Sequence, residues 1–484
     1  MIKATQCDKA IKIGPSHRLF FAAGGAPSAI VVTLTSGFIL LFYSNALGAP
    51  SALVGATLAL ALLFDAIWDP FVGYVSDNTK TRLGRRHPFL YAAIIPVTFL
   101  GWAVWNPPSS LSSTGLILYL LATIIPLRLT LALFDVPSTA LTAELTSDYD
   151  ERTKLSTYRT CVSWLFITVF SALLYGYWLR SSPEYPDGLL NPAGYGDMGL
   201  AAATAVCATM LVCAVGLHRL IPQLPKPSQD VGLSFSDLLS SVFGTFREPI
   251  LVPLLVASAT ISTGFSIYAA LFPYQYAYFW QLDSLELSLT ALPWGIGLVV
   301  AVILAPKLTR VGEKRKLAGL AIFGLTLSIS IPVLMGKCGL MPADSQSRLL
   351  ILSLFLFFDM LTYLVVTSSI SSMLADAVEH RELQRGRREE GTIFAAQTLV
   401  LKLSSALGVL IAGVLLQLIG FNAHGTNFDP HVIDRLGSVW IVGNAGFYLL
   451  AVFSIRFYRH TRQQHEANVE RLRVSSSEAT EVQL

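Results

Sequence analysis

Charged residues are scarce in this chain of 484 residues. Asp, Glu, Lys and Arg together make up 13% of it, whereas 53% of the residues are hydrophobic. A soluble domain has about 25% charged residues, so this composition excludes an ordinary soluble protein and indicates a membrane protein. The net charge of +3 is too small to indicate a nucleic-acid partner. No cleavable signal peptide is expected, because the first apolar run is long enough to span a membrane and lacks a small-residue cleavage site.

Cysteines and histidines are also few. The five cysteines are scattered and odd in number, and three lie in apolar runs, which predicts buried free thiols and not a disulfide framework. The eight histidines fall at predicted surfaces or termini, so we expect no metal site, no cofactor and no enzyme activity. The phosphate-binding motif G-x-x-x-x-G-K-[ST] does not occur, which disfavours ATP as an energy source.

Long apolar runs are the main feature that the chain does have. Segments of about 20 apolar residues are typical of transmembrane helices. Twelve are predicted, at 19–47, 52–76, 88–106, 114–143, 157–180, 198–220, 249–277, 285–305, 316–335, 347–374, 393–419 and 434–456. The chain is therefore expected to be an all-α, multi-pass membrane protein.

Lysine and arginine are unevenly distributed between the predicted turns. If the N-terminus is inside, 28 of the 34 basic residues lie in cytoplasmic segments and four lie outside. Only Arg128 and Lys402 remain, and both lie deep inside the predicted spans. This distribution predicts that both termini are cytoplasmic and that the protein lies in the cell inner membrane.

A polar central segment divides the spans six and six. The predicted domains are an N-terminal bundle (1–220), a cytoplasmic loop (221–248), a C-terminal bundle (249–456) and a disordered tail (457–484). Apolar residues at helical spacing in 235–246 predict a short surface helix, with a plain linker as the alternative. The 2–3 and 4–5 turns resemble the 8–9 and 10–11 turns, as in the major facilitator architecture of two pseudo-symmetric six-helix bundles.

Acidic residues inside the second span are the first functional signal. Asp65 and Asp69 lie one helical turn apart, and carboxylates at such depth are costly and usually functional. At a rise of 1.5 Å per residue, Asp69 lies about 12 Å and Asp65 about 18 Å from the cytoplasmic end. By the same count, Asp135 and Lys402 lie about 12–14 Å from the cytoplasmic ends of their own spans. Asp69, Asp135 and Lys402 are therefore expected to share one layer.

Two carboxylates in a medium of low dielectric constant cannot both ionise cheaply, and a lysine ammonium or a bound cation lowers that cost. We therefore predict that Asp65 and Asp69 hold a coupling cation in competition with Lys402. The alternative is a structural ion pair that joins the two halves.

A second set of polar and aromatic residues lies deeper in the spans. Arg128 and Asp359 both come out at about 22 Å from the inner ends. They are expected to face the central cavity as substrate contacts or gate residues, with a static salt bridge as the alternative. Tyr268 and Trp68 are further candidates for contact with a substrate, since sugar rings stack on aromatic faces.

The 2–3 turn ends in a basic cluster. Asp77 follows the second span, and Arg85 and Arg86 come shortly after it. These arginines are predicted to pair with acids of neighbouring turns such as Glu144 and to latch an inner gate. The alternative is a simple positive-inside anchor.

Three ordered motifs resemble one family. DAIWDPFVGYVSDNTKTRLGRRHP, FDVPSTALTAELTSDYDERTKLSTYR and MLADAVEHRELQRGRREEGTIFAAQTLVLKLSSALG are similar to the glycoside–pentoside–hexuronide:cation symporters, the melibiose-permease family. The resemblance implies a major facilitator fold and secondary sugar transport. It implies cation-site roles for Asp65 and Asp69, a sugar-binding role for Asp135, and functional roles for Arg159 and Lys402.

The chain also departs from that family. The melibiose permeases have an asparagine where this chain has Trp68, and a threonine where it has Ala132. Both changes remove oxygen ligands for sodium, which favours a proton as the coupling ion. We therefore expect a monomeric, proton-coupled transporter of a small sugar or glycoside. The alternatives are a lysolipid or other amphiphile transporter of the same fold and an uncoupled sugar facilitator.

Overall fold

The computed structural model describes residues 14–146, 148–224, 240, 242–311, 313–385, 390–421, 429–458 and 464, and their regular structure is helical. Most of the predicted surface helix over 235–246 and most of the predicted tail lie outside these residues. The spans are labelled α1 to α12 in chain order: α1 (Pro15–Ala23, Ala26–Gly37 and Ile39–Leu41), α2 (Ser51–Asn78), α3 (His87–Ala103), α4 (Ser113–Leu145), α5 (Tyr149–Leu173), α6 (Pro192–His218), α7 (Val252–Tyr274), α8 (Ser284–Leu289 and Ala291–Val311), α9 (Lys314–Lys337), α10 (Ser345–Arg385), α11 (Glu390–Leu418) and α12 (Pro430–Ile455).

Each predicted span corresponds to a helix. Eleven helices in the described residues are long and apolar enough to cross a membrane, and the remaining one, α3, is apolar but has 17 residues. The predicted all-α membrane fold is therefore confirmed.

Local sequence signals explain where several helices begin. Ser112, Asp148, Asn191 and Asp429 cap α4, α5, α6 and α12, and each side chain accepts a hydrogen bond from a backbone N–H of the first turn. Such caps satisfy donors that the helix itself leaves unpaired. α10 extends eleven residues beyond its predicted end at 374, so that Asp376 lies within the helix.

Three helices widen into π-helical turns at their C-terminal ends. These turns are Phe42–Ala46 after α1, Leu174–Trp178 after α5 and Gln275–Phe279 after α7. In the first, the N–H of Leu47 donates to the carbonyl of Phe42, five residues back. Such turns are rare and occur frequently at functional sites.

The chain divides into two compact units. Unit 1 comprises Met1–Thr35, Ile67–Leu179 and Asn191–Gly232, and unit 2 comprises Ser36–Ala66, Arg180–Leu190 and Leu233–Leu484. The border falls inside both α1 and α2, so it does not follow the chain order of the predicted bundles. In unit 2, the Ser44 hydroxyl lies 3.1 Å from that of Tyr274, which ties the end of α1 to α7.

Two smaller predictions have mixed outcomes. The four cysteines in the described residues are free, as expected, but only Cys213 is buried, while Cys161 and Cys338 are exposed. The prediction that every histidine lies at a surface is wrong for His87. Its side chain is fully buried at the start of α3, with its ring 6.2 Å from that of His218.

Small residues let α2 and α11 approach closely inside unit 2. A Cβ atom on Gly413 would lie 2.6 Å from the carbonyl oxygen of Ser51 and 3.1 Å from the Cα atom of Gly55. The Ser51 hydroxyl also donates a hydrogen bond of 3.1 Å to the Gly413 carbonyl. Backbone atoms therefore form this contact, which leaves no room for a side chain.

We expect Gly413→Ala to lower the unfolding free energy by about 1–3 kcal/mol, because overpacking must push the two backbones apart. Thermal unfolding of the purified protein measures this effect. Gly446→Ala is the matched control, because a Cβ atom there meets nothing within 4 Å. Equal melting temperatures for the two variants would contradict the assigned contact.

Candidate transport site

An ion pair joins α2 and α11 within unit 2. Lys402 Nζ lies 2.9 Å from Asp65 Oδ2, and the two side chains are 23% and 10% exposed. The contact between Gly55 and Gly413 sets the register of these helices. Asp65 lies ten residues after Gly55, and Lys402 lies eleven residues before Gly413. The close packing therefore brings the ammonium and the carboxylate to the same depth.

The depth estimate from the sequence placed Lys402 nearer to Asp69 than to Asp65, whereas the structure gives it Asp65 as a direct partner. The predicted common layer of Asp69, Asp135 and Lys402 stays a prediction. Asp69 follows four residues later on the same continuous helix, on the other side of the unit border. Its predicted role in cation binding stays a prediction.

Asp135 and Arg159 form a second ion pair, in unit 1. Arg159 Nη2 donates to Asp135 Oδ1 at 2.9 Å and to the Ser138 hydroxyl at 3.0 Å. The Asp135 side chain is 41% exposed, whereas that of Arg159 is 12% exposed. The arginine is thus largely buried, whereas the carboxylate has an accessible side that can accept hydrogen bonds from a ligand.

The break in α1 accommodates this arginine. A Cβ atom on Gly24 would lie 2.8 Å from Arg159 Nη1, and one on Gly25 would lie 2.8 Å from Arg159 Cγ. The guanidinium also lies 5.5 Å from the centroid of the Phe21 ring, in cation–π geometry. Phe21, Gly24 and Gly25 were not predicted as site residues, although the Gly-Gly pair inside an apolar span was a visible signal.

Trp68 and Arg128 have structural partners in unit 1. The Trp68 indole N–H donates to the carbonyl of Leu129 at 3.0 Å and so links α2 to α4. Arg128 is 6% exposed, and its Nη2 donates to the Thr35 hydroxyl at 2.9 Å. Both side chains therefore make contacts between helices of one bundle, and their predicted roles as substrate contacts stay predictions.

Asp359 and Tyr268 meet in unit 2. The Tyr268 hydroxyl donates to Asp359 Oδ2 at 3.5 Å, and both side chains are 5% exposed. A short hydrogen bond connects Asp359 Oδ1 to the Ser328 hydroxyl on α9. The structure therefore brings these two predicted residues together in the interior of the bundle.

The four predicted gate residues form one cluster at an end of unit 1. Glu144 Oε1 accepts hydrogen bonds from Arg85 Nε at 2.9 Å and from Arg86 Nε at 2.7 Å. Arg86 also donates to Ser76 at 2.7 Å, and its Nη2 makes a short ion pair with Asp77. The Glu144 and Arg86 side chains are 4% and 6% exposed, whereas that of Asp77 is 54% exposed, so the centre of the cluster is buried and its edge is open.

Unit 2 contains an ion pair that resembles the Glu144 cluster. Lys314 Nζ lies 2.7 Å from Asp376 Oδ1 and 2.8 Å from Oδ2. Lys314 is the first residue of α9 and Asp376 lies in the C-terminal part of α10, as Arg86 lies directly before α3 and Glu144 near the end of α4 in the first half. The two halves thus place a cation–carboxylate pair at equivalent positions.

Comparison with known proteins identifies the family. The profile described as "MFS/sugar transport protein" matches residues 20–462. The chain belongs to this family. The solved structures that it resembles include a D-xylose-proton symporter, with a TM-score of 0.66 and 14% identity over 92% of this chain and 98% of that one. At this identity the likeness shows the fold alone, which is the major facilitator fold.

Relatives of this MFS sugar transport protein cover nearly its whole length. An uncharacterised symporter of Synechocystis is 25% identical over 95% of this chain and 97% of its own. The isoprimeverose transporter of Lactiplantibacillus pentosus is 24% identical over 92% and 88%, and a glucuronide carrier homologue of Escherichia coli is 24% identical over 90% and 91%. The resemblance to glycoside–pentoside–hexuronide:cation symporters is thereby confirmed.

The Glu144 cluster gives a direct test. We expect Glu144→Ala to lower the unfolding free energy of this transporter by about 3–5 kcal/mol, because it leaves two arginines near the interior without their shared carboxylate. Thermal unfolding measures the loss. Glu151→Ala is the control, because its pair with Arg18 is more exposed. A loss no larger for Glu144 than for Glu151 would mean that the cluster adds little to stability.

A second cluster in unit 2 joins the segment 180–190 to the end of α7. Asp187 Oδ2 accepts a hydrogen bond of 3.0 Å from the Tyr278 hydroxyl, and Oδ1 accepts one of 3.0 Å from the Leu189 N–H. Burial raises the pKa of the Asp187 carboxyl above its ordinary value, although both hydrogen bonds act to lower it. Compared with the unfolded chain, the folded protein therefore makes ionisation of this carboxyl less favourable.

We expect Asp187→Asn to match the wild type at acid pH and to be more stable at neutral pH. A raised folded-state pKa means that the stabilising effect of protonation is complete below the ordinary pKa and is lost as pH rises through the raised value. Melting temperatures measured between about pH 4 and 8 test this. Ser181→Ala should keep the wild-type profile, and a parallel profile for Asp187→Asn would contradict the prediction.

Proposed function

We propose that the protein is a cation-coupled symporter that carries a sugar or glycoside by alternating access, with a proton as the coupling ion. The observation that carries the proposal is the Asp65–Lys402 pair, an ion pair within two apolar spans of a chain that belongs to a sugar transport family. Ionisable residues at such depth mark ion or substrate pathways. We further propose that the protein is a monomer of the inner membrane with both termini in the cytoplasm.

The coupling step uses the charge balance of this pair. When Asp65 is ionised, the carboxylate and Lys402 neutralise each other at 2.9 Å. A proton on Asp65 removes the attraction and frees the ammonium for another partner. Because breaking a buried pair by removing one charge costs about 3–5 kcal/mol, protonation changes the relative free energies of states in which the pair is made or broken. We propose a role in cation coupling for Asp69 as well, because its carboxylate lies within the same apolar span.

The residues that this chain has where the melibiose permeases have oxygen ligands favour a proton over sodium. A sodium site in this type of fold uses several oxygen ligands, including backbone carbonyls. Trp68, between the two aspartates, offers only an N–H donor, and that donor is used by the Leu129 carbonyl. Ala132 on α4 has no side-chain oxygen. A proton needs one carboxylate and no ligand shell.

The substrate site is proposed at Asp135 and Arg159. The accessible side of Asp135 can accept hydrogen bonds from sugar hydroxyls, while Arg159 and Ser138 fix the orientation of its carboxylate. Relatives of this chain are named for isoprimeverose and a glucuronide, which supports a glycoside as the substrate class. The Glu144 cluster is proposed to be one part of the inner gate.

Uptake into proteoliposomes tests the coupling. We expect an inward proton gradient to accelerate uptake of a radiolabelled glycoside in the wild type. Lys402→Met should lose both stability and uptake, because it leaves Asp65 buried without a cation. The double variant Asp65→Asn with Lys402→Met should regain stability, since no charge remains, but should show no acceleration by the gradient.

The control for this experiment is Lys337→Met, which removes a lysine paired with the largely exposed Asp434. This variant should keep the acceleration. Wild-type uptake that does not respond to the gradient would contradict proton coupling and indicate an uncoupled facilitator. Acceleration in the double variant would show that the Asp65–Lys402 pair is structural only.

A further inference from the structure

Asp359 differs from the other buried acids of the described residues. Four acidic side chains there are buried, and three of them have a cationic partner: Asp65 pairs with Lys402, Glu144 with Arg85 and Arg86, and Asp376 with Lys314. Asp359 forms no ion pair with a described residue, and its carboxylate oxygens contact only hydroxyl groups.

The groups that surround Asp359 do not supply a positive charge. Ser328 lies on α9 and Tyr268 on α7, and the other titratable groups that interact with the carboxyl are the phenols of Tyr276 and Tyr448. The Trp440 ring of α12 packs 5.0 Å from that of Tyr268. An ionised carboxylate in such an apolar setting without a cation is strongly unfavourable.

The count of hydrogen atoms points to the same conclusion. Ser328 Oγ contacts two oxygens, Asp359 Oδ1 and the Leu325 carbonyl at 3.0 Å. A serine hydroxyl has one hydrogen, so it can donate to only one of them. If Asp359 is ionised, both partners are acceptors and one contact has no hydrogen. If Asp359 carries a proton on Oδ1, it donates to Ser328, and Ser328 donates to Leu325.

A proton therefore satisfies every contact of this group. Asp359 Oδ2 remains an acceptor for the Tyr268 hydroxyl at 3.5 Å. Each contact in the hydrogen-bonded series Leu325, Ser328, Asp359 and Tyr268 then has one donor and one acceptor. Fully satisfied buried networks are stabilising, whereas partly satisfied ones are costly.

We propose that Asp359 is a proton-binding site, separate from the Asp65–Lys402 pair, and that it holds a neutral carboxylic acid in the state that this structure represents. The site lies wholly in unit 2, among α7, α9, α10 and α12. The assignment goes beyond the proposed symport, because it depends neither on the substrate nor on the ion that drives uptake.

Infrared spectroscopy of the purified full-length protein tests the proposal at neutral pH, without substrate or gradient. The wild type should show the carbonyl stretch of a neutral carboxylic acid, which Asp359→Asn abolishes. Asp65→Asn should keep that band. Wild-type and Asp359→Asn spectra with the same neutral-acid band would overturn the proposal. Loss of proton-driven uptake would not affect this result, so the two proposals can fail separately.

Two further variants keep the test decisive. Asp359→Asn should melt at the wild-type temperature, because an amide is neutral and its N–H₂ group can donate to Ser328 as the acid does. Ser328→Ala keeps the carboxyl but removes its acceptor, so the band should shift and not disappear. A strong loss of stability in Asp359→Asn together with an unshifted band in Ser328→Ala would show that the carboxyl is ionised.

Discussion

The cost of placing charge in an apolar medium governs the positions of the functional residues. Most basic residues of the sequence lie in turns, in tails or near the ends of helices, and three aspartates inside the spans have partners of specific geometry. Asp65 meets Lys402, Asp135 meets Arg159, and Asp359 meets two hydroxyls. Each arrangement neutralises a carboxylate differently, by a lysine, by an arginine that also donates to a serine, or by a proton. These differences in partner give three otherwise similar aspartates different chemistry.

Close backbone contacts make these pairings possible. Gly55 and Gly413 bring α2 and α11 together, and Gly24 and Gly25 open α1 for Arg159. In the first case the glycines lie about three helical turns from the ion pair, and in the second they lie on a neighbouring helix. In both cases a residue without a side chain determines the position of an ionised group. Glycine in a membrane span often serves this purpose, since packing and not hydrophobic burial holds such helices together. The geometry of the proposed coupling site therefore depends on residues that carry no charge.

The sequence predicted the twelve spans, their all-α fold and the family, because hydropathy and motif order are local properties. It also named the residues of the Glu144 cluster, since a basic turn and an acid at a helix end are easily recognised. It did not predict that Asp65 is the direct partner of Lys402, because that choice depends on the register between two helices distant in the chain. The burial of His87, likewise, depends on packing that the local sequence does not encode. Nor did it predict Ser328, a serine among many, as the partner of Asp359.

The three π-helical turns have a consequence for comparison between relatives. A π-helical turn contains one residue more than an α-helical turn would, so every side chain beyond it is rotated relative to an uninterrupted helix. Because each of these turns ends its helix, the side chains that are displaced are those within Phe42–Ala46, Leu174–Trp178 and Gln275–Phe279, and the segment that follows starts from a different position. An alignment with a relative that lacks such a turn needs a one-residue gap at that place. Without the gap, residues of the π-helical turn would be equated with residues that face a different direction in the other protein.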